Sequence, residues 1–444
     1  MKRYFLYAGV LLLALSACRK TEVDNLFADS PEGRMADTLA MIRKDLTSAQ
    51  YGWKAGLQTG LKGGYGFYFQ FTDDNKVKMV GDFSTTTGST LKESTYRVSP
   101  TGVASLIFDT YNHISLLQDP VPDVAGGTAG QGFRSDVEFS YQGKRGDSLF
   151  FTGKKYSLPL VLIKATNTEQ QAYQSSGLNT FSTGFSNVYN TNYAFSYALD
   201  AQANKLAIEV DYASKAIKFS YVDATGEVTS SKTSPYYYTT TDLSLVRPLF
   251  VPFAGKVIKA ISYAGTKVNL IFTDGSNQEI LNSGTPLYNI ESVFAYNKAF
   301  KKLVSGATIP GVTANVHIFD QVRTLFTASS RNITNMYFGF TNSTTAIFYI
   351  AYTSGTSSFV ASATYEYRRQ GNSIFFKRIG IDGGNNWNTR ATQVAPVNDL
   401  FGAGDEREFT IAWASSSSNT VKFPIGAIKS VANPNNMLYG RLGQ

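Results

Sequence analysis

Two hydrophobic periods divide the chain between them. Met35, Leu39, Ile42, Leu46 and Ala49 recur every three or four positions, the spacing that puts apolar side chains on one face of a helix and predicts one over about residues 31 to 49. Its start is well marked. Ser30 offers an N-cap oxygen, Pro31 needs no amide partner in the first turn, and Glu32 places a carboxylate near the positive helix end. Gly52-Trp53 ends it, and the period then falls to two. Tyr65, Phe67, Phe69 and Phe71 share one side, and Asp73-Asp74-Asn75 turns the chain into Val77-Lys78-Met79-Val80, which is hairpin syntax. Further strands are expected at 94–98, 104–109, 137–141, 148–152 and 158–163. The block reads as a helix packed on an antiparallel meander.

The block recurs. Phe69-Gln70-Phe71-Thr72-Asp73 is echoed by Phe338-Gly339-Phe340-Thr341-Asn342, Thr95-Tyr96 by Thr364-Tyr365, Leu106-Ile107-Phe108 by Ile374-Phe375-Phe376, and Glu138-Phe139-Ser140 by Glu408-Phe409-Thr410, always 268 to 270 positions on. A looser echo lies between them: residues 139–143 resemble 261–265, and Leu149-Phe150-Phe151-Thr152 resembles Leu270-Ile271-Phe272-Thr273. A fixed offset held over several phrases is the mark of internal repetition. Helical stripes open the later copies: Leu178, Phe181, Phe185 and Val188 in the second, and Val293, Tyr296, Phe300 and Leu303 in the third, with a short stripe at Ile318, Val322 and Leu325 after it. Turn-forming residues accumulate near 164–168 and 283–286. The expected fold is therefore α+β and β-rich, in tandem modules each with an N-terminal helix on an antiparallel β-meander. Their bounds are 29–165, 166–285 and 286–444.

What precedes the first module reads as targeting sequence. Lys2 and Arg3 lead an apolar run from Tyr4 to Leu15, followed by Leu15-Ser16-Ala17-Cys18. The run falls short of the roughly 20 residues that span hydrocarbon, so residues 1–17 are expected to be a cleaved signal peptide. Cys18 is the sole cysteine of 444 residues; it cannot close an intramolecular disulfide, and its placement resembles a bacterial lipobox. Lipidation of Cys18 is expected, with residues 18–28 as the tether. Loss of Lys2 and Arg3 lowers the net charge from +8 to +6. The remaining basic residues occur as scattered pairs rather than a stripe, which argues against a nucleic-acid partner.

Catalytic chemistry is scarce. The two histidines, His113 and His317, lie far apart, and the single sulfur is committed to lipid, so neither a metal site nor a serine–histidine triad can be assembled from spacing. Both histidines are expected at surface or edge positions. The acidic residues Asp73, Asp74, Asp109, Glu209, Asp211 and Asp274 could serve a paired-carboxylate hydrolase, but they fall in turns or alternate outward on strands. The glycine-rich run 126–132 lacks the Gly-Lys-Ser/Thr ending of a phosphate loop, and 381–387 lacks the closing glutamate of an EF-hand. No cofactor or metal is expected. Aromatic surface remains. Tyr236-Tyr237-Tyr238 on a strand must point at least one ring away from its neighbours, and Trp387 lies in a glycine-rich loop; these four are the candidate ligand-binding residues. Trp53 and Trp413 are expected in the core.

Several phrases resemble a family of Bacteroidota-type lipoproteins, the domain of unknown function 4302: the lipobox followed by Leu26-Phe27-Ala28-Asp29-Ser30-Pro31, Tyr51-Gly52-Trp53, Gly63-Gly64-Tyr65, Ser94-Thr95-Tyr96, residues 106–112, residues 147–155, and Leu243-Ser244-Leu245-Val246-Arg247-Pro248. The resemblance covers about residues 15 to 280. It brings no catalytic or binding residues. It implies an outer-membrane lipoprotein that accompanies a TonB-dependent transporter and its partner lipoprotein. Arg19 and Lys20 stand where surface-exported members usually carry acidic residues, which leaves the periplasmic and surface faces both open. The expected function is non-catalytic capture or presentation of a nutrient, glycan or peptide, by aromatic stacking and hydrogen bonds from Ser/Thr/Asn-rich loops, with tandem modules raising avidity. The alternatives are an envelope protein–protein scaffold using β-augmentation and a paired-carboxylate hydrolase.

Overall fold

The computed structural model describes residues 30–444 except 252, 254, 307, 308 and 419. The expected signal peptide, the tether to residue 28 and Cys18 lie outside the described residues. The fold is α+β and β-rich, with three antiparallel sheets in tandem.

The first sheet is a closed barrel of β1 (Trp53–Gln58), β2 (Gly64–Phe71), β3 (Lys76–Gly81), β4 (Lys92–Thr101), β5 (Val103–Phe108), β6 (Glu138–Arg145), β7 (Ser148–Gly153) and β8 (Pro159–Lys164), each paired to the next and β8 back to β1. The second runs β9 (Phe195–Leu199), β10 (Lys205–Asp211), β11 (Ala216–Val222), β12 (Val228–Tyr238), β13 (Leu243–Phe250), β14 (Val257–Ala264), β15 (Lys267–Phe272), β16 (Asn277–Glu279) and β17 (Leu281–Ser283). Its last strand is split at Ile280: β16 pairs with β15 while β17 crosses to β9, so two short halves close the ring. The third is again a closed barrel, of β18 (Lys302–Val304), β19 (Arg331–Phe340), β20 (Thr345–Ser354), β21 (Ser357–Gln370), β22 (Ser373–Ile381), β23 (Glu406–Ala414), β24 (Ile425–Ser430) and β25 (Met437–Gly443). The echoed phrases fall on equivalent strands: second, fourth, fifth and sixth of the first and third barrels, and sixth and seventh of the first and second.

Alternation explains each interior. Phe67, Phe69 and Phe71 point into the first barrel, and Phe338, Phe340, Phe348, Tyr365 and Phe376 fill the third. These are packed cores rather than pores. In every copy the connection from fifth to sixth strand drops side chains into the barrel: Ile114, Leu117 and Phe133 in the first, Val251 and Phe253 in the second, and Trp387, Val394, Val397, Leu400 and Phe401 in the third.

Helices pack against these interiors. Pro31–Thr47 starts with the Ser30 Oγ accepting from the Gly33 amide at 3.1 Å and buries Ile42 and Leu46; Trp53 Nε1 donates to its Leu46 carbonyl at 2.9 Å. Gly177–Asn192 buries Leu178, Phe181, Phe185 and Tyr189 against the second sheet. In the third copy the expected opening helix is absent. Ile290–Ser292 makes one 3-10 turn, Phe294 and Phe300 form an isolated bridge, and Leu303 belongs to β18. Barrel closure takes Lys302–Val304 as a strand between β19 and β25, and the apolar spacing serves that instead. The covering helix here is Ile318–Ala328, inserted after the first strand. No helix among the described residues is long and apolar enough to cross a membrane.

Candidate functional site

The aromatic residues proposed from sequence as ligand platforms are core residues. Tyr236, Tyr237, Tyr238 and Trp387 are all at most 9 % exposed. Alternation did turn the middle ring of the triplet away from its neighbours, but the face it turns to is covered by the first barrel. Gly56 and Gly66 leave room for it: a Cβ on Gly56 would lie 2.4 Å from the Tyr237 ring, and one on Gly66 would lie 2.1 Å from the Tyr238 carbonyl oxygen. Tyr236 and Tyr238 meet edge to face at 5.5 Å and flank Lys215, whose ammonium also sits 4.6 Å from the Tyr65 ring centre. Trp387 is drawn inward by Asp382, whose carboxylate accepts from the amides of Ser362, Asn386 and Trp387; its Nε1 donates to Asn398 Oδ1 at 3.2 Å. Those acceptor bonds occupy the oxygens that a cation would need.

The remaining assignments divide. Trp53 is fully buried, whereas Trp413 is half-buried, with Nε1 donating to the Tyr288 carbonyl at 2.7 Å. His113 is buried rather than at a surface or edge, because the Thr90 carbonyl, 2.9 Å from its Nε2, gives the ring a partner inside. Burial lowers its pKa. His317 occupies the N-cap position of helix Ile318–Ala328, beside Asp320 and the Tyr439 ring. No group of three or more His, Cys, Asp or Glu side chains able to hold a metal occurs among the described residues.

The concave site lies between the second and third barrels, where sequence reading did not look. Two adjoining hollows, of about 340 and 170 Å³, share Ala194, Phe195 and Lys422. Tyr193 and Phe195 come from the exit of helix Gly177–Asn192 into β9, Asn282 and Ser283 from β17, Tyr288 from the linker, and Ser416, Lys422 and Phe423 from the connection of β23 to β24. Tyr193, Phe195, Tyr288 and Phe423 are each half-buried, so one part of each ring is anchored and another is open. The anchors are specific. Tyr193 Oη accepts from the Val268 amide at 3.0 Å and its ring stacks on Tyr189 at 5.5 Å. Tyr288 packs edge to face on Trp413 at 5.6 Å, and its burial, with the Glu209 charge adding to it, raises its phenol pKa. Asn282 Oδ1 accepts from the amides of Ala194 and Phe195 at 2.7 and 3.2 Å, and its Nδ2 has no partner among the described residues.

Both walls are tied to one another. Lys422 Nζ donates to the Thr191 carbonyl at 3.0 Å across the gap. Anchored aromatic faces beside amide and hydroxyl groups make a site that can stack on and hydrogen-bond a polar ligand with apolar faces. The sequence carried a faint signal for it: the turn-rich break at 283–286 stands just before Tyr288, and residues 415–420 are a Ser/Asn/Thr run.

The fold and this groove together define a tandem-barrel protein with a ligand-sized cleft at the second joint. The sequence family described as domain of unknown function (DUF4302) matches residues 23–264, more than half of the chain, and the protein belongs to it. No curated protein matches the chain. Among solved structures, the DNA polymerase III subunit beta DnaN sliding clamp from Bartonella birtlesii is 10 % identical over 93 % of this chain and 98 % of its own, with a TM-score of 0.15. The C. crescentus beta sliding clamp is 9 % identical over 93 % and 97 %, with a TM-score of 0.14. At such scores neither likeness bears on fold or function.

Proposed function

We propose that the protein is a cell-envelope lipoprotein, anchored in the outer membrane through Cys18, that captures a nutrient, glycan or peptide, in the groove between its second and third barrels and presents it to a TonB-dependent import system. The observation that carries this reading is the set of four anchored, half-open aromatic rings sharing one groove with Asn282 and Ser283. Rings held this way lose little freedom on binding, and preorganisation favours affinity.

The carboxylates favour binding over hydrolysis. A glycosidase acid needs a raised pKa, whereas Asp74, Asp211 and Asp274 are held low by hydrogen bonds from Thr72, Ser214 and Ser276. Asp109 is paired with Arg97 at 2.9 Å, and Glu209 with Lys218 at 3.4 Å. Closure of the first and third sheets likewise leaves those two no free edge for a scaffold built on β-augmentation.

The decisive experiment is a glycan and peptide binding screen on the purified protein, repeated with Tyr288→Ala. Capture in the groove requires at least one ligand class to bind and that variant to weaken it about tenfold or more; absence of binding to every ligand would sink the reading. Anchoring is tested separately. Cys18→Ala should move the protein from the membrane to the soluble fraction and remove an acyl mass from the mature chain.

A further inference from the structure

We infer that the ligand of the groove is an anionic oligosaccharide, its carboxylate or sulfate group held by Lys422 while an adjacent sugar ring packs against Tyr193 and Tyr288. The inference rests on the reading of the groove as a capture site and names the ligand class.

Among the described residues, Lys422 is the one cation lining the two hollows, and it borders both. An ammonium has three donors. One goes to the Thr191 carbonyl at 3.0 Å, and no carboxylate among the described residues lies within 4.0 Å of Nζ. Two donors therefore remain for a ligand. The one carboxylate on the walls among the described residues, Glu209, borders only the larger hollow and is engaged by Lys218. A second cation reinforces the local sign: the guanidinium of Arg441 lies 3.8 Å from the ring centre of Phe423, itself a groove residue, and forms no ion pair among the described residues. The Lys422 residue is exposed, and the desolvation it does meet at the groove lowers its pKa. An anion supplied from outside would relieve that penalty, and charge-assisted bonds are the stronger ones.

Sugar chemistry follows from what surrounds the charge. Tyr193 and Tyr288 present anchored ring surface suited to the apolar face of a pyranose, and the Asn282 amide has an unused donor for a hydroxyl. An acidic peptide would satisfy Lys422 equally well but could match the flat ring surfaces only through a proline, aromatic or arginine side chain beside its acid, whereas every pyranose carries such a face.

Calorimetric titration of the full-length protein with an oligogalacturonate and with the matching neutral galacto-oligosaccharide, at low ionic strength, tests this. The acidic sugar should bind at least tenfold more tightly. Lys422→Met should erase that preference, Lys422→Arg should retain it, and thermal melts should show all three proteins folded. Equal binding of the two sugars, a preference that survives Lys422→Met, or tighter binding of an acidic peptide than of either sugar would overturn the inference while leaving capture intact. Failure of every ligand would remove both.

Discussion

Lys215 Nζ lies 2.8 Å from Asp82 Oδ2, and this pair, one residue from each of the first two barrels, is almost fully shielded from water. Asp82 Oδ2 also accepts from the Tyr238 amide at 2.8 Å, while Oδ1 has no hydrogen-bond partner among the described residues. Desolvation raises the Asp82 pKa, with Lys215 and the Tyr238 amide opposing. Removing one member of a buried pair strands the other charge, a loss of about 3–5 kcal/mol. Lys215→Met should therefore lower stability by that order in denaturant titration, and Asp82→Leu/Lys215→Met should recover most of it.

The same aspartate sets a pH dependence. A carboxyl whose folded pKa is raised binds more protons in the folded state, so its contribution is fully present below the ordinary value of 3.8 and is lost as pH rises through the folded pKa. The difference in stability between the native protein and Asp82→Asn should thus shift against the native protein as pH climbs from 3.8. A flat difference would show that Asp82 does not titrate above its unfolded value.

His113 should act in the opposite direction. Its folded pKa lies below the ordinary 6.5 because burial penalises the imidazolium, so its contribution is present above 6.5 and is lost as pH falls through the folded value. Thermal melts of His113→Gln between pH 7.5 and 5 should lose less stability on acidification than those of the native protein.

Close approach of the first two barrels depends on glycine. A Cβ on Gly66 has only 2.1 Å to the Tyr238 oxygen, whereas one on Gly380 meets nothing within 4 Å. Gly66→Ala should cost about 1–3 kcal/mol by overpacking and split the calorimetric transition of the two barrels, while Gly380→Ala should leave that joint unchanged.

In the third barrel Phe401 packs against Phe338, Tyr365, Phe376 and Phe409. Phe401→Ala should cost about 3–5 kcal/mol, read as a lower denaturant midpoint.

These residues also mark where sequence reading succeeds and stops. The alternation of Phe67, Phe69 and Phe71 revealed strand β2, and the stripe through Ile42 and Leu46 revealed the first helix, because each pattern depends on one element meeting one core. Tyr237 defeated the same logic. Period two tells which way a ring points but not that a neighbouring barrel waits there, and only the glycines at 56, 64 and 66 hinted at close approach. The stripe from Val293 to Leu303 failed because three or four apolar residues at helical spacing also fit a turn, a bridge and a short strand. The groove was less legible still: Tyr193, Tyr288 and Lys422 are brought together by the stacking of barrels, which no local pattern records.

The broken strand at Ile280 has a mechanical consequence. Three residue pairs hold β16 to β15 and three hold β17 to β9, and the chain runs on from there to the third barrel. Tension along the chain would load these short pairings, and their opening would carry Asn282 and Ser283 away from the hollow they line.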